Sequence, residues 1–235
     1  MVLVHGVGFG PGSLVPLARE LLAGGVRVLV AERRGYGSRA GLPPAATVEE
    51  SVDDVVAMLD AAGVERATVA GMSGGATVAL AMAIRRPDRL VRAVAHEPAV
   101  GALVPELGAL VRGALADGGG ALARALAGAG TWTTLPHEVR DAVLALAPLI
   151  ERDAPAFLAF DPALDDTVGE RLVCTVGDRS PELRHRVAAA LAARTGAPVL
   201  TIPGCAHLPQ FDAPVAFADT IRALGAPAPL QESTP

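Results

Sequence analysis

The segment Val69-Ala70-Gly71-Met72-Ser73-Gly74-Gly75 constrains this 235-residue chain more than any other. A short apolar stretch, Ala67–Gly71, runs directly into the Ala-rich helical stretch Gly74–Arg85, with one serine at the junction. Gly71 and Gly75 flank Ser73 in a G-x-S-x-G pattern, and both have to be small where a buried strand and the following helix cross at short range. So sharp a turn strains the serine backbone and lifts its hydroxyl clear of the sheet, where a base can reach it. Five such residues also arise by chance in a Gly- and Ala-rich chain, so the strand before them and the helix after them carry the reading.

Short β-rich runs alternate with helical patterns along the whole chain, which implies an α/β fold with a mostly parallel sheet and crossover helices. Val2–His5 reads as a strand that opens into the glycine-rich loop Gly6–Gly12. Ser13–Ala23 reads as a helix with Leu14, Leu17, Leu21 and Leu22 on one face and Pro16 in its first turn, where a missing N–H costs little. Val26–Ala31 is the next strand, and Thr47 with Glu50 forms a T-x-x-E capping box that opens a helix to about Ala62. Leu90–His96, Leu172–Val176 and Val199–Ile202 complete about six strands, with a helix between the last two and another over Pro214–Leu224. From Pro98 to about Glu170 the pattern becomes Ala/Leu helices broken by Gly118–Gly120 and Pro136, which reads as a helical cap inserted over one end of the sheet. Residues 1–98 and 171–225 are then the core, 99–170 the cap, and 226–235 a disordered tail.

Composition removes several functional classes. Half the residues are hydrophobic, but much of that is alanine, and no run approaches the ~18 apolar residues of a spanning helix. Met1-Val2-Leu3-Val4-His5 has neither a basic n-region nor a cleavage site, so the reading is a cytoplasmic protein without a signal peptide. The net charge of −5 is dispersed, which argues against nucleic acid or a membrane as partner. Lysine and asparagine are absent, as GC-rich bacterial coding would give. Cys174 and Cys205 form neither a disulfide framework nor a ligand set; both read as packing residues, although Cys205 lies two residues before His207. The histidines are scattered singly, so no metal and no cofactor is expected.

Ligands on open parallel sheets bind beyond the carboxyl ends of the strands. Those ends carry His5-Gly6-Val7-Gly8, Glu32-Arg33, Gly71-Met72-Ser73-Gly74, His96-Glu97-Pro98, Gly177-Asp178-Arg179-Ser180 and Gly204-Cys205-Ala206-His207. One nucleophile, one late histidine and several acids therefore share an edge, which is what serine acyl chemistry requires. The loop Gly204–Pro209 gives His207 the reach to meet Ser73.

On these residues the chain resembles the α/β-hydrolase superfamily over nearly its full length. The matching elements are His5-Gly6 after the early strand, the R-G-Y-G turn Arg34–Gly37, the serine turn, the position of the insertion, and the G-x-x-H-x-P sequence ending at Pro209. The resemblance implies Ser73 as nucleophile, His207 as general base and acid, an oxyanion hole from the backbone N–H groups of Val7 and Gly74, and a structural His5. Two departures stand out. Members usually place the triad acid three residues after the glycine ending the penultimate strand, and here that residue is Ser180. Glu97 and Asp178 are rival acids, with Glu97 favoured because some members take the acid from the end of that strand. The sequence also starts almost on the His-Gly strand, without the antiparallel hairpin that usually precedes it, which leaves Val26–Ala31 as an open edge; a short enzyme, a start site placed too late and a homodimer paired across that edge all stay open.

The expected activity is cleavage of an ester, thioester or lactone of a small apolar molecule through an acyl-enzyme. Serine rather than aspartate at the turn argues against a dehalogenase or epoxide hydrolase, which need a carboxylate nucleophile. Candidate pocket residues are Phe9, Met72, Trp132, Phe157, Phe160, Leu208 and Phe211. Two alternatives stay open: a lyase or acyl transferase of a natural-product pathway using the same Ser–His pair, and an inactive small-ligand-binding module.

Overall fold

The structure, a computed structural model, describes residues 1–225; the tail expected to be disordered lies outside the described residues. Six strands form one sheet: β1 (Val2–Val4), β2 (Leu29–Ala31), β3 (Ala67–Met72), β4 (Leu90–His96), β5 (Leu172–Gly177) and β6 (Val199–Ile202). Their spatial order is β2-β1-β3-β4-β5-β6 and every pairing is parallel, as the alternation of strand and helix patterns predicts. The two-residue side-chain period divides the strands between two cores. Val2, Val4, Val69, Ala93 and Ala95 face one, under α2 (Val48–Ala61), α3 (Gly74–Arg85) and α10 (Glu182–Thr195). Leu3, Ala70, Met72 and Val94 face the other, under α1 (Val15–Ala23) and α12 (Pro214–Gly225).

Two boundaries differ from the sequence expectation. Only Leu29–Ala31 of the run Val26–Ala31 is strand, where β1 pairs Val2 with Leu29; ahead of it the Met1 amino group donates to the Arg27 carbonyl at 2.8 Å. The helix expected over Ser13–Ala23 begins as a 3₁₀ turn, Pro11–Leu14, and becomes α-helical at Val15, next to Pro16. The T-x-x-E box forms as expected: the Glu50 N–H donates to Thr47 Oγ1 at 3.2 Å. β2 and β6 are the outermost strands.

Between β4 and β5 lie six helices: α4 (Pro105–Ala116), α5 (Gly119–Ala127), α6 (Ala129–Thr134), α7 (His137–Ala145), α8 (Ala147–Leu158) and α9 (Asp166–Gly169). Their apolar residues Leu107, Leu122, Leu126 and Phe157 belong to the same core cluster as Val7 and Val78 of the sheet side. A buried polar tie fixes α8 as well. Arg33, just after β2, pairs with Asp153 at 2.5 Å, and the Tyr36 hydroxyl donates to the other Asp153 oxygen at 2.7 Å. α11 (Pro209–Asp212) closes the loop after β6.

Candidate active site

Ser73 stands between β3 and α3 with φ 54° and ψ −120°. A Cβ on Gly71 would strike the Gly75 carbonyl, and one on Gly75 would strike the Val4 carbonyl, so both glycines are required by close backbone approach. Ser73 and Glu97 (φ 49°) are the two non-glycine residues with positive φ among the described residues. Such backbone strain persists where the surrounding structure over-determines it, and here it falls on a serine and a carboxylate at adjacent strand ends.

Glu97 closes β4 and lies against His207. The His207 Nδ1–H donates to Glu97 Oε2 at 2.8 Å. Oε1 accepts from the Gly177 N–H at 3.0 Å and from the Ser180 hydroxyl. Ser180, at the position where the resemblance would put the acid, thus donates to Glu97. Asp178 is exposed, and its backbone N–H serves the sheet by donating to Ile202 O. His96, fully buried, braces the other side: Nε2–H donates to the Ala206 carbonyl at 3.1 Å and Nδ1 meets Thr175 Oγ1 at 3.0 Å.

With Nδ1–H committed to Glu97, the His207 Nε2 keeps its lone pair, as a general base needs. Burial and then the Arg184 guanidinium pull the His207 pKa down to about 4, against the raising effect of Glu97. Burial would push the Glu97 carboxyl up, but the His207 hydrogen bond and the nearby His96, His207 and Arg184 hold it well below the usual carboxylate range. Ser73 and His207 line one cavity, with Gly6, Val7, Met72 and Leu208. No hydrogen bond joins the two side chains among the described residues; Nε2 instead meets Arg184 Nη2, at 3.4 Å. Hydrogen bonds of this kind often tighten only when substrate is bound.

The loop after β1 supplies donors. A Cβ on Gly6 would lie 3.2 Å from Ser73 Cβ, and one on Gly74 would lie 3.0 Å from the Val7 side chain, so the loop is packed onto the serine turn. The Gly74 N–H begins α3 and has no acceptor within the helix, and the Val7 N–H meets no acceptor among the described residues. The loop is held from behind: the Gly8 N–H donates to the Tyr36 hydroxyl at 3.0 Å, and His5 Nε2 accepts from the Arg33 N–H at 3.3 Å. His5 is buried edge-on to Tyr36, with its pKa lowered to about 3 by burial first and then Arg33.

Among the candidate pocket residues, Phe9, Met72 and Leu208 line the Ser73–His207 cavity. Phe157 lines an adjoining cavity with Ser73, Val7 and Arg184, walled by α4, α5 and α8. Trp132, Phe160 and Phe211 line neither: Trp132 packs beneath the Arg124 guanidinium and Phe160 is buried in the main core. Cys205 is fully buried, with its thiol pushed up to about 12, first by burial. Sequence reasoning missed Arg184, which borders both the Phe157 cavity and an outer cleft of about 330 Å³ that reaches His207. Leu126 borders all three spaces.

The sequence matches the model of the Alpha/beta hydrolase family over residues 1–220. It is 37% identical over 95 residues to a protein named as a carbamate hydrolase, RutD, of Caulobacter sp. strain K31, and 40% identical over 94 residues to epoxide hydrolase B of Mycobacterium tuberculosis. These matches take in 40% and 38% of this chain, and 35% and 26% of the relatives, so the chain spans about a third or less of the curated relatives it matches. Among solved structures, an esterase from Thermogutta terrifontis superposes with a TM-score of 0.73 at 23% identity, covering 96% of this chain and 90% of that one. The enol-lactonase of Burkholderia xenovorans LB400 gives 0.68 at 22%, covering 95% and 89%. Est816, described as degrading N-acyl homoserine lactones, gives 0.72 at 20%, covering 94% and 91%.

Proposed function

The chain belongs to the alpha/beta hydrolase family, and from that premise we propose that it is a serine hydrolase that cleaves an ester, thioester or lactone through an acyl-enzyme. The observation that carries the proposal is the 2.8 Å contact between Glu97 and His207 Nδ1, which leaves Nε2 basic in the cavity it shares with Ser73. His207 takes the Ser73 proton as Oγ attacks the carbonyl carbon, and Glu97 stabilises the imidazolium. The negative charge on the tetrahedral oxygen falls to the N–H groups of Val7 and Gly74, donors that need no reorganisation because the loop and the turn are already packed together. His207 then returns the proton to the leaving oxygen or sulfur. Water, activated by the same imidazole, attacks the acyl carbon and restores Ser73.

The apolar walls of the Phe157 cavity suit an aliphatic acyl group. Ester and lactone substrates also appear in the names of three structures that share this fold: the esterase, the enol-lactonase and the N-acyl homoserine lactone-degrading Est816. Epoxide opening, the activity named for one partial relative, asks for a carboxylate where Ser73 stands. A fluorophosphonate probe followed by peptide mass analysis tests the reading: the expected adduct is on Ser73 and disappears in Ser73→Ala. A folded protein that takes up no label, and releases no ¹⁸O-labelled acid from any ester in ¹⁸O-water, overturns it.

A further inference from the structure

Arg184 is the one charged side chain lining the cavity that holds Ser73 and Phe157, and the acyl-enzyme steps leave it without a task. It rises from the first turn of α10 and is 6% exposed, yet it makes no direct hydrogen bond to a carboxylate. Its Nε stands 3.7 Å from Glu97 Oε2, beyond hydrogen-bond range, its Nη2 faces the neutral His207 Nε2 at 3.4 Å, and its buried Nη1 has no partner. A guanidinium placed only to support Glu97 would be superfluous, since Glu97 already receives His207 Nδ1–H, the Gly177 N–H and the Ser180 hydroxyl. A buried donor group left unsatisfied, as Nη1 is, is costly and calls for a partner.

The position also opposes the chemistry of a neutral substrate. His207 must become positive in the transition state, and a cation 3.4 Å from its Nε2 resists that change. An anion bound to the free face of the guanidinium would cancel the repulsion and draw Nη2 off the lone pair that Ser73 needs. Resting on the serine-hydrolase reading of this site, we infer that the substrate carries a carboxylate on its acyl portion, bound by Arg184 beside the apolar acyl cavity. Arginine suits this task because its planar fork binds both carboxylate oxygens at once. The substrate class is thus the half-ester, thioester or lactone counterpart of a dicarboxylic acid, with a short apolar chain between its two carbonyl carbons.

The test uses matched pairs: 4-nitrophenyl esters of glutarate and adipate, which end in a carboxylate, against those of pentanoate and hexanoate, which end in a methyl group. The wild-type protein is expected to favour the carboxylate ester in kcat/KM by roughly 10- to 100-fold, as a buried charge-assisted pair supplies. Arg184→Gln is expected to bring that ratio near one, and Arg184→Lys to restore part of it. A ratio at or below one in the wild type, or a ratio that Arg184→Gln leaves unchanged, overturns the inference. Calorimetric titration with glutarate and with pentanoate separates this from the parent reading. Glutarate binding that Arg184→Gln abolishes supports the anion site even if Ser73 takes no phosphonate, and absence of glutarate binding overturns it even if Ser73 is labelled.

Discussion

Two buried clusters each set an arginine beside a carboxylate, and they are built differently. In the first, Asp153 of α8 takes its bonds from Arg33 at 2.5 Å and from the Tyr36 hydroxyl at 2.7 Å. The charges neutralise each other by direct contact, and the Arg33 guanidinium lies over the rings of Phe157 and Tyr36 at 4.8 and 5.5 Å. In the second, Glu97 accepts its bonds from His207, Gly177 and Ser180, and Arg184 stands off at 3.7 Å with Nη1 bonded to nothing. Arg33 spends one nitrogen in joining the inserted helices to the sheet side, and its Nε and Nη1, left without partners, lie among the aromatic rings. Arg184 makes no direct hydrogen bond to its carboxylate and faces a cavity and an imidazole instead. Burial alone therefore does not separate a structural ion pair from a functional one; how the carboxylate distributes its bonds does.

The sharpest way to break this comparison is at the carboxylates, since only one should matter to chemistry. Glu97→Gln is expected to lower kcat by about a thousandfold or more, because it removes the charge that stabilises the imidazolium and disturbs the tautomer. Asp178→Asn, on the exposed turn, should leave kcat within about twofold. Steady-state rates on one ester decide the matter, and equal losses in the two variants would undo the assignment of Glu97.

At Asp153 the expected loss is in stability. Asp153→Ala leaves the Arg33 charge buried and the Tyr36 hydroxyl without its acceptor, a change that typically costs about 3–5 kcal/mol. For a domain of this size that lowers Tm by on the order of 10 °C. Replacing both partners by apolar residues of similar volume, Arg33→Met with Asp153→Leu, should recover most of the loss, as buried pairs often allow. Thermal unfolding followed by circular dichroism measures both. An Asp153→Ala protein that melts with the wild type would show that the tie contributes little.

The architecture and the serine turn were legible because their signals are local. Strand period, helix period and the spacing of Gly71, Ser73 and Gly75 each span a few residues and survive without knowledge of neighbours. Glu97 was legible by position, at a strand end, together with the absence of a carboxylate at Ser180. What could not be read was how Ser180 would be used: its donation to Glu97 depends on β4 and β5 lying side by side. Trp132, Phe160 and Phe211 failed as pocket residues for a related reason. Trp132 lies on the inserted α6, Phe160 in the segment after α8 and Phe211 in the short α11, and whether such an aromatic faces core or cavity is decided by packing that no local spacing reports. Arg184 carried no signal at all, since in sequence it is one of several arginines along a polar helix. It is buried in the fold, where it meets His207 on the loop after β6 and Glu97 at the end of β4.

The smallest expected effect separates the two arginines by pH. His207, faced by Glu97, Arg184 and His96, has its pKa drawn down to about 4, first by burial and then by Arg184. Its imidazole is therefore neutral, and basic, above that point, so wild-type kcat/KM should rise as pH climbs through about 4 and then level off. Removing Arg184 removes a cation that disfavours the imidazolium, so Arg184→Gln should move the acid limb upward, toward the ordinary histidine value of 6.5. Stability follows the same sign: the unfolded chain takes up this proton from about 6.5 downward and the folded one only near 4, so the contribution of a neutral His207 is present above that window and lost across it as pH falls. Asp153→Asn, which alters the other cluster, should leave the acid limb where the wild type has it. If both substitutions shift the limb alike, the field at His207 comes from the protein at large, and Arg184 loses its distinction from Arg33.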